Sequence, residues 1–355
     1  MKCYFLSDMI FYSAKPQNSK AIDTVKPHEE EQEMKQRLSV LFFSLFWLGF
    51  AGEFSHAELF WGGGGVDWGT GASGPSSVVY RLDSNTGLID KTMSFESYDW
   101  MWINGIADSG KYLYISHNTY NIDGGSYMDT HDFKIAKVDR CSGAVLSDVS
   151  ISGFLGQGFS QVNALDFHDG NLYGVDNVTS NSTLRGYALQ MHLDQNGDVV
   201  NSSVGAFVGP YPDCGLDFNK ANGLWYATSW GYTPPPKKEG SLLFTSPDIM
   251  STNFTQEGVG NSAVSGIGMI SGLAFSKTGD CFAVSWYGAD HSATSVYSVD
   301  VTLRTATPLY DLAPQLPSSV TYLDGLADVN MVREGCKKGP WRCQARDDGS
   351  PFKTK

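Results

Sequence analysis

Short stretches of strict alternation between apolar and polar residues recur along the chain. SSVVYRLDSNTGLIDKTMSF (76–95) and IAKVDRCSGAVLSDVSI (135–151) each read as two period-two strands around a glycine-containing turn. Between such hairpins one pattern keeps returning: a polar or small residue, then Gly or Ala, an apolar pair, a turn and a β-rich run. It reads NGIADSGKYLYISHN (104–118), NALDFHDGNLYGVDN (163–177), CGLDFNKANGLWYATSW (214–230) and SGLAFSKTGDCFAVSW (271–286), and a fifth copy starts at DGLADVNMV (324–332). The small residues Gly105, Ala164, Gly215, Gly272 and Gly325 lie 59, 51, 57 and 53 positions apart. A unit of about 55 residues has room for four strands and their loops, which is one blade of a β-propeller.

The fifth copy lacks its second strand, and AELFWGG (57–63) resembles the missing one. The expected fold is therefore all-β: a five-bladed β-propeller of four-stranded blades, the last blade closed by both termini. Blades one to four are expected at 103–152, 163–206, 214–258 and 271–311, and blade five at 324–330 joined to 58–95. Shared closure removes the open edge that would invite aggregation. A sandwich of hairpins is the plain alternative, but sandwiches do not repeat one motif five times.

Residues 34–57 (MKQRLSVLFFSLFWLGFAGEFSHA) change the reading of the N-terminus. Lys35 and Arg37 precede a 14-residue apolar run from Leu38 to Ala51, and Ser55-His56-Ala57 offers small residues for cleavage. This is the pattern of a secretory signal peptide, and the run is shorter than the ~20 residues of a spanning helix. Residues 1–33 then form an upstream extension, expected to be disordered, and the mature chain has no membrane span. Secretion, or a periplasmic location in a bacterium, is the expected destination.

The chain carries 25 Lys+Arg against 38 Asp+Glu, a net −13, with 39 glycines. The imbalance is uneven. Residues 58–330 hold 12 basic and 28 acidic residues, whereas 331–355 form a basic tail with 7 against 3. An acidic body argues against nucleic acid as a partner. The sequence contains no HExxH, GxSxG or phosphate-loop motif.

Connections at the two ends of the expected ring differ. One end has tight turns, such as Asp108-Ser109-Gly110 and Gln195-Asn196-Gly197. The other has long segments: 63–75, 118–132 and 230–240 between middle strands, and 96–103, 153–162, 207–213 and 312–323 between blades. Connections longer than the geometry needs usually carry function. Aromatic residues concentrate there, and Trp68, Trp100, Tyr127, Trp230 and Tyr232 are the candidate contacts for a glycan or an extracellular protein. Packing between blades is the structural alternative for each. Asp129-Thr130-His131-Asp132 and Asp290-His291 are the acid–histidine groupings, which as a rule are solvated loop charges.

Asn104, Asn163, Asp213 and Asp324 start inner strands, where oxygen-rich side chains converging on the axis would suit calcium. The NG- and DG-apolar starts followed by a turn and an LY-type strand resemble NHL-type and senescence-marker/gluconolactonase-type propellers. That resemblance implies metal ligands at the matching Asn104, Asn163 and Asp324, hence a metal-dependent hydrolase of lactonase or glycosidase type. It covers the repeat framework; those enzymes have six blades, and the glutamate ligand has no counterpart here. Capping of local backbone N–H groups is the alternative role for these side chains. Whether the chain is an enzyme stays open at this point, with a monomeric binding module as the leading expectation.

Cys336 and Cys343 flank KKGPWR, and a local disulfide in the tail is expected in an oxidising compartment. Asn177, Asn181, Asn201 and Asn253 begin Asn-x-Ser/Thr sequons, glycan acceptors if the source is eukaryotic.

Overall fold

The computed structural model describes residues 58–65, 77–98, 100–119, 133–151, 159–180, 183–210, 212–230, 240–257, 263–287 and 293–329. The expected extension 1–33, signal segment 34–57, basic tail with Cys336 and Cys343, and loop residues Trp68, Tyr127, Asn181 and Tyr232 lie outside them.

Twenty strands make five four-stranded antiparallel sheets arranged as a five-bladed β-propeller. β1 (Leu59–Gly65), β2 (Val78–Asp83) and β3 (Ile89–Ser94) begin blade five. β4 (Trp100–Asp108), β5 (Tyr112–Thr119), β6 (Phe133–Asp139) and β7 (Val145–Ser150) form blade one. Blade two is β8 (Phe159–His168), β9 (Asn171–Ser180), β10 (Thr183–Leu193) and β11 (Val199–Pro210). Blade three is β12 (Pro212–Asn219), β13 (Leu224–Trp230), β14 (Ser241–Ser246) and β15 (Thr255–Gln256). Blade four is β16 (Met269–Phe275), β17 (Cys281–Tyr287), β18 (Ser295–Asp300) and β19 (Thr305–Asp311). β20 (Tyr322–Asp328) then returns to β1, with Trp61 opposite Ala327 and Gly63 opposite Asp324. Both ends of the ring thus meet in blade five. Among the described residues no helix is long and apolar enough to cross a membrane.

Burial falls from the axis outward. Every residue of the inner strand β16 is buried, whereas the outer strand β7 alternates half-buried and exposed positions. Five hydrophobic clusters result, one per blade interface. Period-two alternation divides side chains between them. Phe60 faces the blade four interface, while its neighbour Trp61 faces blade one.

The repeated small residues have a shared purpose. A Cβ on Gly105 would sit 2.7 Å from Leu165 N and 2.9 Å from Ala164 Cα, in the next inner strand. One on Gly272 would sit 2.6 Å from Gly325 C, and Gly325, at φ +63°, lies against Gly105. The inner strands therefore touch backbone to backbone around a narrow axis. The register between inner and second strand also slips at this position in all five blades, for example between Ile103 and Gly105 and between Val162 and Ala164. A bulge per blade bends each inner strand where it crosses its neighbour.

One expected loop proves to be strand. β11 runs to Pro210 and β12 starts at Pro212, so 207–213 is no long connection; the two strands continue almost without a break. β9 and β10 are joined through only 181–182, so blade two has no long loop there. Blade two accordingly spans 159–210 rather than 163–206.

Trp61 shows what a single interface residue contributes. It is fully buried, and its indole N–H donates to Asp108 Oδ2 across the blade five–blade one junction at 2.9 Å. Trp61→Phe keeps an aromatic ring but removes that donor and some volume. We expect a loss of about 2–3 kcal/mol in urea unfolding. A loss below 0.5 kcal/mol would show the bond to be dispensable.

Candidate functional site

The bulged position concentrates polar side chains at the centre of the ring. Asn104 and Asn163 are each 3% exposed, Ser271 is fully buried and Asp324 is buried. Ser271 Oγ donates to Leu323 O at 2.9 Å, linking blade four to blade five. Asp324 Oδ1 accepts the N–H of its own neighbour Gly325 at 3.0 Å, a local cap. Among the described residues, Asn104 Nδ2 and Asn163 Oδ1 have no hydrogen-bond partner. One orphan donor and one orphan acceptor thus occupy the same repeat position on adjacent inner strands. Tyr80, which lies across its cross-strand partner Gly62, also has an unpartnered buried hydroxyl. Asp213 belongs to β12 and pairs with Thr228 through the backbone.

The candidate aromatic contacts fare differently. Trp100 is 0% exposed, stacked between Phe95 at 4.5 Å and His117 at 3.9 Å. It opens β4, where its side chain turns into the blade five–blade one core. The expectation that it faces a ligand is therefore corrected: it is a packing residue. Trp230 ends β13. Of the sequon asparagines, Asn201 is exposed on β11, and Asn253 is exposed with its Oδ1 accepting Phe207 N–H at 3.1 Å. Asn177 lies in β9.

The hairpin end is built from turns that satisfy themselves. Asp83 accepts the N–H groups of Asn85 and Thr86, Asp139 those of Cys141 and Ser142, Asp194 those of Asn196 and Asp198, and Asp300 those of Thr302 and Leu303. Asp108 and Asn219 cap Gly110 and Ala221 in the same way. A large part of the acidic excess is thus turn chemistry, concentrated at one end of the ring.

At the axis of that end the inner strands converge on a small pocket of about 10 Å3, room for one water. Four carboxylates line it: Asp108, Asp166, Asp217 and Asp328, with Phe167, Phe218, Phe275, His168 and Lys220. Each carboxylate ties its blade to another. Asp166 Oδ2 accepts Phe218 N–H of blade three at 3.3 Å. Asp217, 5% exposed, accepts the same Phe218 N–H on one oxygen at 2.9 Å and Phe275 N–H of blade four on the other. Asp328 of blade five meets Lys220 Nζ of blade three at 3.2 Å. Asp108 of blade one holds Trp61 and the Arg140 guanidinium, the latter at 3.2 Å.

Burial pushes Asp108 up to about 6, against the pull of Arg140, and Asp166 up to about 6. Asp217 is held well above the usual carboxylate range by burial and then by the charge of Asp166. Burial also raises Asp328, although Lys220 opposes it. Burial alone would lower Lys220, yet Asp328, Asp217 and Asp166 keep it above its ordinary value. His168 is lowered by burial. The site is short of positive charge. The sequence held one signal of it: each of these inner strands carries Asp two or three residues after the repeated small residue.

No protein-family model matches the chain, and no curated protein matches it either. Three solved structures are similar in fold. A protein of unknown function from Bacteroides caccae is 12% identical, with 77% of this chain and 100% of that one covered at a TM-score of 0.41. Hydrazine synthase of Kuenenia stuttgartiensis is 10% identical, covering 63% and 70% at 0.34. Quinohemoprotein alcohol dehydrogenase from Comamonas testosteroni is 12% identical, covering 66% and 40% at 0.32.

Proposed function

We propose that the protein is a secreted, monomeric binding module that engages a glycan or an extracellular protein through the loop end of its ring. The observation that supports this reading is the inequality of the two ends. Most hairpin-end turns have two to five residues and consume their own polar groups. Segments 66–76, 120–132 and 231–239 at the opposite end are far longer than a strand connection needs and bring Trp68, Tyr127 and Tyr232 with them. Flat rings with a polar edge suit sugar faces and peptide anchors.

The axial amides bear on the alternative, a calcium-dependent hydrolase. A cation needs several converging oxygens. Asn163 Oδ1 would serve, but Asn104 offers an N–H as its orphan group, and Asp324 Oδ1 is engaged by Gly325. An orphan donor and an orphan acceptor at the same repeat position complement a hydroxyl, which both donates and accepts, better than a metal ion. Asn104 and Asn163 as placed thus favour a hydroxyl over calcium.

A glycan array together with metal analysis of the purified protein tests the reading. Binding should be selective, with no stoichiometric calcium, and Trp68→Ala or Tyr232→Ala should weaken it about tenfold, the loss of one aromatic anchor. Trp100→Ala should instead lower the unfolding midpoint. A metal-dependent hydrolytic activity, or binding indifferent to both loop substitutions, would overturn it.

A further inference from the structure

The outer strands of the five blades differ in how they guard their free edge. An unpaired edge recruits other chains unless it is very short, charged or interrupted by proline. β3 carries Asp90 and Lys91, β7 carries Asp148, β19 carries Pro308 and Asp311, and β15 has only two residues. β11 (VVNSSVGAFVGP) has 12 residues without a single charge, and its one proline comes last. Blade three covers the later part of β11. Ala206 N–H donates to Ile249 O at 3.1 Å, and Phe254 N–H donates to Phe207 O at 2.9 Å. The earlier part carries Val200 and Val204, 50% and 51% exposed. Between them stands exposed Asn201, the first residue of the sequon Asn201-Ser202-Ser203. Its Oδ1 accepts Ser202 N–H at 2.8 Å, and among the described residues its Nδ2 has no hydrogen-bond partner. A second exposed sequon residue, Asn253, approaches β11 from blade three through its bond to Phe207. Two sequons thus border one strand, the outer strand that lacks a guard of its own.

We propose that Asn201 carries an N-linked oligosaccharide that guards the edge of blade two, an inference that rests on the secretory route proposed above. In the transfer, Asn201 Nδ2 attacks the anomeric carbon of a lipid-diphosphate-linked oligosaccharide. The N–C bond forms as the anomeric C–O bond to the diphosphate breaks. The lipid diphosphate leaves with that electron pair, and the amide nitrogen gives one proton to a base of the host transferase. Asn201 Oδ1 takes no part, so its bond to Ser202 survives modification. A bulky, hydrated sugar rooted between Val200 and Val204 keeps a second strand from pairing there. It does for β11 what Lys91, Asp148 and Pro308 do for the other edges.

Expression of the full chain in a eukaryotic secretory host tests this. Peptide mapping after enzymatic deglycosylation in heavy-oxygen water should find the label at position 201. The Asn201→Gln variant should self-associate about tenfold more tightly than the parent in sedimentation equilibrium, because one edge is bared. Adding Val204→Lys to that variant should restore the parent's behaviour by giving the edge a charge. Secreted protein with Asn201 unmodified would overturn the proposal and leave the secretory route standing. An Asn201→Gln variant as monomeric as the parent would overturn it too, as would association that Val204→Lys does not reverse. A chain that stays in the cytosol would overturn both. None of these outcomes touches ligand binding at the loop end.

Discussion

Gly272→Val is expected to prevent the ring from closing. A side chain there would put its first carbon 2.6 Å from both Gly325 C and Leu326 N, and 2.8 Å from Val284 Cγ2. The first two are backbone atoms of the neighbouring inner strand, so no rotamer change relieves the clash. Ordinary overpacking of a core costs about 1–3 kcal/mol because flexible side chains yield. Here the strand itself must move, and each inner strand is already wedged between two others. We expect more than 3 kcal/mol, a fall of roughly 10 °C in the unfolding midpoint or insoluble protein. Gly223→Asn is the matched control. It lies at φ +73° in a hairpin turn with nothing near its Cβ, and asparagine tolerates that conformation. Circular dichroism melts of the pair separate the two causes. A Gly272→Val protein melting within 2 °C of the parent would mean that the inner strands are not in backbone contact.

Mild acid should stabilise the protein. The four axial carboxylates titrate above their unfolded values, Asp108 and Asp166 near 6 against about 3.9 in an unfolded chain. Between those limits the folded state binds more protons than the unfolded one, so stability rises as pH falls through 6 and levels off near 4. The surrounding groups shape the window. Lys220, Lys277 and Arg140 favour the ionised carboxylates, Glu58 disfavours ionised Asp328, and His168, lowered by burial, opposes the gain because it must charge on acidification. Below about 4 the trend reverses, since Asp139, Asp198 and Asp248 are stabilised in ionised form by Ser142, Lys137 and Ser251. The net gain from pH 7.5 to pH 5 is of order 2 kcal/mol, or about 5 °C. Asp166→Asn removes one of the coupled pair and should flatten the slope between pH 5 and 7.5. A parent midpoint constant across that range, or one falling on acidification, contradicts this account.

Much of the ring was legible in sequence because period and spacing are one-dimensional properties. The five small residues announced five blades, and AELFWGG announced the shared closure. What the spacing could not convey was why those positions are small, since the contact of Gly272 with Gly325 exists only once blades four and five are side by side. In sequence Trp100 reads as part of a connection because it follows Tyr98 and Asp99. Its alternation with Trp102 and Asn104 was the stronger cue, and it places Trp100 at the head of an inner strand. The acidic mouth was invisible for a different reason. Asp108, Asp166, Asp217 and Asp328 are separated by up to 220 residues, and each alone looks like a turn cap. Only convergence of four inner strands turns them into one electrostatic unit.

The shared blade also constrains how the chain is made. β1 to β3 emerge first, yet the partner of β1 is β20, about 260 residues later. At the ~5–20 residues per second of synthesis, the inner edge of β1 waits some 13–50 s for its neighbour. An unpaired strand of valines and isoleucines would be a nucleus for aggregation throughout that interval. β1 ends instead in Gly62, Gly63, Gly64 and Gly65, which bury nothing of their own and hold a strand poorly in isolation. The glycines that admit Tyr80, Ile103 and Val320 in the finished ring thus also give the waiting strand little tendency to pair by itself.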